Sequence, residues 1–403
     1  MEILECSEWR RPAQTTGDEV LERVRAMLAE VAAEGDDALI RLSRDIDGFE
    51  PRLIELKPWA SYPISEETKA HLRVAAERIR AFAKMQRDMY GDQSREDRHG
   101  RFGQVVRPLP SMAAYIPGGR FPLVSTALMT LIPARVAGVP IRLACSPADD
   151  PAILAAASLG GATAFLHMGG AQAVAALAYG SRWHEAVDMI VGPGNAYVNA
   201  AKALVQGRVK IDTLAGPSEI LVLCDDSTDP HWLALDVLAQ AEHDPMALSV
   251  LATTDRALLA AIEARVREEL AAHPDKDAGV IQLVHCASVD EMIDLSNRMA
   301  PEHLHLACDP GLVDIERLAH FGSLFIGRHS AVALGDYCTG PNHTLPTLAV
   351  ARRKGGLSVG DFLKVLTFQE VDPKSFGELA KTGIHLAELE GLAFHRRSLE
   401  IRL

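Results

Sequence analysis

The middle of the chain alternates between short apolar runs and longer helical patterns, and this alternation constrains the fold more than any other sequence feature. The first runs lie at residues 112–116, 141–145, 164–167, 188–191 and 219–224, and helical patterns separate them at residues 125–137, 151–159, 171–179 and 196–205. A second series lies at residues 249–253, 280–284, 303–307 and 324–327, with helices that start near Asp229, Asp255 and Val289. Strands that alternate with helices form parallel sheets from βαβ units. We therefore expect two α/β blocks.

Both ends of the chain show helical patterns instead. Between residues 17 and 90, apolar residues such as Val20, Val24 and Leu28 recur at steps of three and four, the period of an amphipathic helix. The tail, residues 361–403, also reads as helices. We expect a helical region at each end of the α/β blocks.

Composition narrows the class of function. The chain has 403 residues, of which 48% are hydrophobic, enough for two cores. Its net charge of -13 argues against nonspecific binding to nucleic acid or an anionic membrane. The six cysteines lack metal-knuckle or redox spacing. Residues 1–14 lack the apolar stretch of a signal peptide, and no run reaches the length of a membrane span. We expect a soluble cytoplasmic enzyme that acts on a small molecule.

Three glycine clusters follow predicted strands, at residues 117–119, 169–172 and 192–195. Backbone amides at a helix N-terminus attract anions, and glycine lets a phosphate approach the backbone. The G-x-G-x-x-G fingerprint is absent, and each cluster alone is also typical of an ordinary tight turn. Because all three lie in βα connections of one block, they favour a dinucleotide site.

Several polar residues have the chemistry of metal ligands. Gln240 and His243 share one face of a predicted helix near its C-terminal end, as half of a metal shell or as a surface polar patch. Asp336 is either a zinc ligand or a residue that caps a turn. Glu390 and His395, near the C-terminus, also fit a solvated charged face. The spacing of these residues leaves both interpretations open.

The dipeptide Glu302-His303 stands at a predicted turn that enters a strand. A carboxylate beside an imidazole offers two bases that are usable near neutral pH and suit two proton transfers. Adjacent residues on a strand point to opposite faces, however. The pattern alone therefore leaves both a catalytic and a structural role open.

The order of these segments along the chain resembles the histidinol dehydrogenase family. The matching segments are residues 115–119 (YIPGG), 169–173 (GGAQA), 192–195 (GPGN), 215–219 (AGPSE), 239–243 (AQAEH), 300–304 (APEHL) and 335–346 (GDYCTGPNHTLP). They span nearly the whole chain. The resemblance implies an α/β fold with two Rossmann-like domains, parallel sheets, helical N-terminal and C-terminal segments, and an intertwined homodimer.

We expect four parts in this fold. Residues 1–18 form an N-terminal segment, and residues 19–113 with 219–357 form a discontinuous α/β domain that carries the metal and catalytic residues. Residues 114–218 form the NAD-binding α/β domain. Residues 358–403 form a helical tail that reaches the partner subunit.

The resemblance also implies a role for each matching residue. The implied zinc ligands are Gln240, His243 and Asp336 of one subunit and His395 of the other. The implied NAD contacts are Tyr115, Gln172 and Asn195. The implied substrate contacts are Ser218, His343 and Glu390 together with the zinc ligands and the two catalytic bases, Glu302 and His303.

The implied reaction is a four-electron oxidation of L-histidinol through L-histidinal to L-histidine, the last steps of histidine biosynthesis, with two molecules of NAD. His303 would take the alcohol proton, and Glu302 would activate the water that adds to the aldehyde. Zinc would orient the amine and ring nitrogen of the substrate. The partners are then a small alcohol and a second copy of the chain, in a homodimer with shared active sites.

Some features leave other functions open. Family members usually have a small residue where this chain has Arg120, and residues 352–364 (RRKGGLSVGDFLK) resemble paralogues that act on other polar alcohols. The alternative is therefore the same zinc and NAD chemistry on an alcohol such as a sulfonated diol. A zinc hydrolase would leave the glycine clusters unexplained and lacks a His-Glu-x-x-His helix. A noncatalytic dinucleotide-binding protein would not need the four implied zinc ligands.

Overall fold

The computed structural model of the chain describes residues 2–12, 18–118, 123–214, 216–242, 244–274 and 278–403. The helices are α1 (Asp18–Glu34), α2 (Asp36–Ile46), α3 (Glu66–Arg87), α4 (Val124–Ala137), α5 (Pro151–Gly160), α6 (Gly170–Tyr179), α7 (Ala196–Val205), α8 (Pro230–Ala241), α9 (Arg256–Ala272), α10 (Val289–Met299), α11 (Val332–Tyr337), α12 (Phe376–Leu389) and α13 (Ala393–Glu400). The strands are β1 (Glu2–Glu5), β2 (Arg52–Ile54), β3 (Gln93–Asp97), β4 (Gly100–Pro108), β5 (Ser111–Tyr115), β6 (Ile141–Ser146), β7 (Ala164–His167), β8 (Met189–Val191), β9 (Lys210–Ile211), β10 (Glu219–Cys224), β11 (Leu248–Thr253), β12 (Val280–His285), β13 (His303–Ala307), β14 (Ser323–Ile326) and β15 (Leu363–Val371).

Two six-stranded sheets form the centre of the molecule, as the alternation predicts. Sheet I has the order β2-β7-β6-β5-β8-β9, and sheet II has the order β1-β12-β11-β10-β13-β14. Every neighbouring pair is parallel except β2 and β7. From its first central strand, β5 or β10, each sheet runs two strands to one side before it reverses to the other. This is the Rossmann-like order, so the predicted fold class is confirmed.

Helices cover both faces of each sheet. On sheet I, α1, α2, α6 and α7 pack on one face, and α3, α4 and α5 pack on the other. On sheet II, α8 and α9 cover one face, and α10 covers the other. Strands buried on both faces read as continuous apolar runs, which is why they stand out in the sequence. The helix α8 begins as predicted, with Asp229 accepting a hydrogen bond from the His231 amide ahead of Pro230.

The structure groups the N-terminal helices differently from the prediction, which joined residues 19–113 to residues 219–357. Val24 and Leu39, from α1 and α2, pack against α6 and α7 of sheet I, and Ile79 of α3 packs against α4. Only β1 of the described N-terminal elements joins sheet II. An amphipathic pattern shows that one face of a helix is buried but not which sheet it covers. The other predicted domain borders stay a prediction.

A three-stranded antiparallel sheet, β15-β4-β3, is absent from the sequence-based prediction. Its strand β15 opens the tail that was expected to be helical, and α12 and α13 follow it. Most residues of β15 are exposed, including the adjacent Val365 and Leu366. A strand without a buried face gives no alternating pattern, which explains why it was missed.

None of the described helices combines the length and the apolar character that crossing a membrane requires.

Candidate active site

Two sheet edges meet at the crossover from β9 to β10. The strand β9 ends at the carboxyl edge of sheet I, and β10 starts at the amino edge of sheet II after residues 212–218. Residues 342–354 bind both sides of this junction. The Asn342 side chain donates to the Met129 carbonyl of α4 at 2.6 Å, and the Gly216 amide donates to the Thr347 hydroxyl at 2.6 Å. These contacts link α4 of sheet I to the segment that leads into β10.

At the carboxyl edge of sheet I, strand order reverses between β5 and β8, the position where open α/β sheets usually bind ligands. The loops that follow these strands touch there. A Cβ atom on Gly192, which has a φ of 113°, would lie 2.1 Å from the Tyr115 carbonyl oxygen. Only glycine permits this approach.

The three predicted NAD contacts, Tyr115, Gln172 and Asn195, lie around this reversal. The Tyr115 hydroxyl accepts a hydrogen bond from the Gly170 amide at 3.1 Å, and burial raises the pKa of Tyr115, so its own proton is retained. Asn195 is exposed and caps α7 through the Tyr197 and Val198 amides. Tyr115 and Asn195 thus stand at a polar, anion-attracting edge.

Gln172 occupies a different environment from the other two. Its side chain is fully buried and donates to Asp47 at 3.1 Å, and the same carboxylate oxygen accepts from the Gly169 amide at 3.1 Å. Burial raises the pKa of Asp47, and these two hydrogen bonds oppose that rise. The structure therefore places Gln172 as a support of the loop that starts α6.

A buried ion pair that sequence reasoning missed holds the loop between β8 and α7. Lys202 of α7 lies 2.5 Å from Asp212, and their side chains are almost fully buried. Asp212 accepts from the Gly192 amide at 2.7 Å, and Lys202 donates to the Gly192 carbonyl at 2.9 Å. The N–H and C=O groups of Gly192 are thus both held by this ion pair. The signal in the sequence is a lysine within a mostly apolar helix.

At the amino edge of sheet II, Glu302 and His303 both meet the main chain of Glu219. The Glu302 carboxylate accepts from the Glu219 amide at 2.8 Å, and the Glu219 carbonyl lies 3.1 Å from Nδ1 of His303. Nδ1 of His303 is 3.6 Å from Oε2 of Glu302. The expectation that adjacent residues point apart does not hold here, because Glu302 precedes β13 and only His303 belongs to it.

The turn before Glu302 and His303, which we call the dyad, has little conformational freedom. Ala300 has a φ of 46°, a left-handed conformation that residues other than glycine rarely adopt. A Cβ atom on Gly322 would lie 2.5 Å from the Glu302 carbonyl oxygen, so glycine is required where β14 begins. The backbone of residues 300–302 is therefore fixed by its neighbours.

Asp336 adds negative charge beside the dyad. Its Oδ1 atom lies 3.9 Å from Nε2 of His303, and its carbonyl lies 2.9 Å from Nδ1 of His343. The pKa of Glu302 is raised well above its ordinary value, first by burial and second by the charge of Asp336. Two carboxyl groups in one buried space favour a cation or a proton between them.

The other predicted site residues divide into three groups. Gln240 is buried at the end of α8, and Ser218 directly precedes Glu219. His243, like Arg120, lies outside the described residues. Glu390 and His395 lie far along the tail, in a groove lined by residues of α12, α13 and their connection. The described contacts therefore bring together Glu302, His303, Asp336 and His343, and leave the tail residues apart from them.

Comparisons with known proteins identify the family. The family model described as histidinol dehydrogenase matches residues 10–403. A histidinol dehydrogenase from Thermus thermophilus is 44% identical over 391 residues, covering 95% of this chain and 94% of that protein. One from Methanothermobacter thermautotrophicus is 42% identical over 416 residues, covering 98% and 96%.

A solved structure matches the fold over its full length. The crystal structure of histidinol dehydrogenase from Elizabethkingia anophelis superimposes with a TM-score of 0.90 at 33% identity, covering 100% of this chain and 97% of that one. Sequence and structure thus agree over the sheets, the crossover and the tail. The chain belongs to the histidinol dehydrogenase family.

Proposed function

We propose that this protein oxidises L-histidinol through L-histidinal to L-histidine, using two molecules of NAD and a bound zinc ion. The observation that carries the proposal is the buried Glu302-His303 pair, held on the Glu219 main chain with Asp336 beside it. Membership of the family supports the substrate.

His303 is suited to take the alcohol proton. The Glu219 carbonyl can only accept a hydrogen bond, so Nδ1 of His303 carries the ring proton and Nε2 is the acceptor nitrogen of the neutral ring. Bound NAD would supply the hydride acceptor, and Nε2 would receive the hydroxyl proton of the alcohol. Once that proton has passed to solvent, the same atom could take a hydroxyl proton from the aldehyde hydrate in the second oxidation.

Glu302 is suited to activate the water that adds to the aldehyde. Its Oε2 atom is fixed by the Glu219 amide, so the direction of the carboxylate is set before substrate binds. Asp336 is the second cause of the raised Glu302 pKa. When a cation neutralises Asp336, that cause is lost and Glu302 ionises more readily, as a general base requires.

The donor atoms around this pair fit a zinc ion. Asp336 contributes a carboxylate and Gln240 a buried amide, and His243 with His395 of the partner subunit would add two imidazoles. Oxygen and nitrogen ligands of this kind suit zinc. When bound, zinc supplies electrostatic attraction that orients the substrate amine and ring nitrogen.

Sheet I is suited to hold the dinucleotide. The protonated Tyr115 hydroxyl accepts from Gly170 and keeps its own hydrogen to donate to a ligand. The N-terminus of α7, behind Asn195, attracts phosphate.

The position of His395 supports a homodimer with shared sites. It lies on the tail, where Leu389, Phe394 and Ile401 are 72%, 84% and 84% exposed. Apolar side chains exposed to this extent favour burial against another chain. A second copy could then bring His395 and Glu390 to the dyad.

NADH formation by zinc-loaded protein tests the proposal. Wild-type protein with histidinol is expected to form two NADH per substrate consumed. His303→Asn keeps an N–H group that can bond Glu219 but lacks the accepting nitrogen, so turnover should fall about 10²- to 10⁴-fold while zinc remains bound. His329→Ala, at an exposed position, is the control. Absence of NADH formation by the zinc-loaded wild type would contradict the proposal.

The alternative substrate class, other polar alcohols such as sulfonated diols, has less support from the described contacts. Arg352 donates to the Asn297 carbonyl at 2.9 Å, and Lys354 pairs with Asp361 at 3.3 Å and donates to the Asp212 carbonyl. Both cations thus have internal acceptors. A panel of histidinol and sulfonated and plain diols distinguishes the classes through kcat/KM.

A further inference from the structure

The N-terminal segment reaches the dyad through one arginine. Arg11 lies after β1, and its guanidinium donates to the Glu219 carboxylate and to the Met299 carbonyl. Burial lowers the pKa of Arg11. Its neighbour Arg10 is exposed and bonds only to the local carbonyls of Ser7 and Trp9, at 2.9 and 2.7 Å, among the described residues.

The two acceptors of Arg11 belong to the two segments that form the dyad. Glu219 is fully buried, and its main-chain N–H and C=O groups hold Glu302 and His303. Met299 ends α10, directly before the strained Ala300 that leads into Glu302. One guanidinium therefore ties the start of β10 to the end of α10, on either side of the bases.

The Glu219 side chain depends on this contact. Its Oε1 atom meets Arg11 and the Leu348 amide, the latter at 3.3 Å, whereas Oε2 has no hydrogen-bond partner among the described residues. The Glu302 carboxylate lies next to the Glu219 amide. Without Arg11, the fully buried Glu219 carboxylate would lose its basic partner, and the segment that carries it would have to shift.

We propose that Arg11 is a positioning residue for the reaction, acting through Glu219 and Met299 to hold Glu302 and His303 at the geometry that proton transfer needs. This inference rests on the proposed function for its kinetic readout. Arginine suits the task because its planar group donates to two acceptors at fixed angles.

The test compares Arg11→Met with Arg10→Met in zinc-loaded protein. A small misplacement of catalytic groups costs about 10²-fold in rate. We expect Arg11→Met to lower kcat by about 10- to 100-fold with the KM values for NAD and histidinol unchanged, and Arg10→Met to match wild type. Equal kcat values in the two variants would overturn the inference.

Two further variants separate positioning from general stability. Arg11→Lys keeps the charge but has one ammonium group for two acceptors, so its kcat should lie between those of wild type and Arg11→Met. If Arg11→Met does not fold, the comparison of Arg11→Lys with wild type tests the inference. Arg11→Met combined with Glu219→Gln should lower kcat no further than the more damaging single variant, because both changes disrupt the same Arg11-Glu219 ion pair. Additive losses, or an Arg11→Lys kcat equal to wild type, would count against the inference.

A readout independent of activity keeps the two proposals distinct. Amide hydrogen exchange over residues 216–221 and 299–304 should quicken in Arg11→Met and not in Arg10→Met. If wild type forms no NADH but exchange changes as expected, the proposed function fails and the positioning role stands. If wild type is active and exchange is unchanged in Arg11→Met, the positioning role fails alone.

Discussion

Glu219 holds both proposed bases with main-chain atoms, through its N–H group to Glu302 and its C=O group to His303. Any side chain at position 219 would offer the same two atoms. The carboxylate at this position matters instead through Arg11, which fixes where the main chain lies. We therefore expect the site to be sensitive to residues that touch neither substrate nor cofactor.

The raised pKa of Glu302 predicts a pH effect on stability in zinc-free protein. A carboxyl group whose pKa is raised by folding stabilises the fold below its ordinary value of 4.5, and this contribution is lost as pH rises through the folded-state pKa. Glu302→Gln keeps an uncharged group at all pH values. The free energy of unfolding of wild type should therefore fall relative to Glu302→Gln as pH rises above 4.5.

Urea unfolding of both zinc-free proteins across pH measures this difference. Glu316→Gln, at an exposed position, is the matched control. Stability curves of wild type and Glu302→Gln that run parallel with pH would show that Glu302 is not held in its protonated form.

Sequence reasoning at this scale identified residues with recognisable side-chain chemistry. Glu302, His303 and Asp336 were predicted, and the structure brings them together. Glu219 was missed because it holds the bases with main-chain atoms, which no side-chain pattern reveals, and Arg11 was missed because its partner Glu219 is 208 positions away. A carboxylate at the start of an apolar strand, as in EILVLC, is the one sequence signal for Glu219.

Among the elements, the loop between β8 and α7 depends on the Lys202-Asp212 pair. Replacing one partner would leave a buried charge, at a cost of about 3–5 kcal/mol, so the double variant Lys202→Met/Asp212→Asn is the suitable change. The N–H and C=O groups of Gly192 would lose their charged partners. We expect KM for NAD to rise about tenfold, equivalent to roughly 1.4 kcal/mol, with KM for histidinol and zinc content unchanged.

Lys84→Met, at an exposed position of α3, serves as the control for this measurement. If the double variant binds NAD as wild type does, or if it raises both KM values equally, the pair does not act on the dinucleotide loop.

Element prediction succeeded where burial is complete. The predicted runs at residues 164–167, 219–224 and 303–307 coincide with β7, β10 and β13. It failed at β15, whose exposed residues carry no periodic signal, and in grouping α1–α3, whose partner sheet depends on contacts distant in the sequence. Periodicity reports which face is buried and not what covers it.

At the scale of the whole molecule, shared sites predict complementation between two inactive variants. If each active site takes Glu302 from one chain and His395 from the other, the two variants remove residues that different chains contribute to a site. A heterodimer of His395→Ala and Glu302→Gln chains then contains one intact site and one site with both defects. After random subunit exchange in an equal mixture, about a quarter of wild-type turnover should return.

Turnover of the mixture, with exchange verified by mass spectrometry of tagged chains, measures the effect. A mixture of His395→Ala with Lys381→Met, a variant on the exposed side of α12, shows how much activity an intact second chain restores. Verified exchange without recovery in the first mixture would place His395 outside the site.

The position of β1 has a consequence for how the protein is made. Its residues pair with β12, so that Glu2 lies opposite Gln282, whereas every strand of sheet I precedes residue 212. At roughly 5–20 residues per second, ribosomes need roughly 15–55 s to reach β12 after β1 has been made. We therefore expect sheet I to fold on the ribosome first. Arg11, near the start of the chain, would be among the last residues to reach its place.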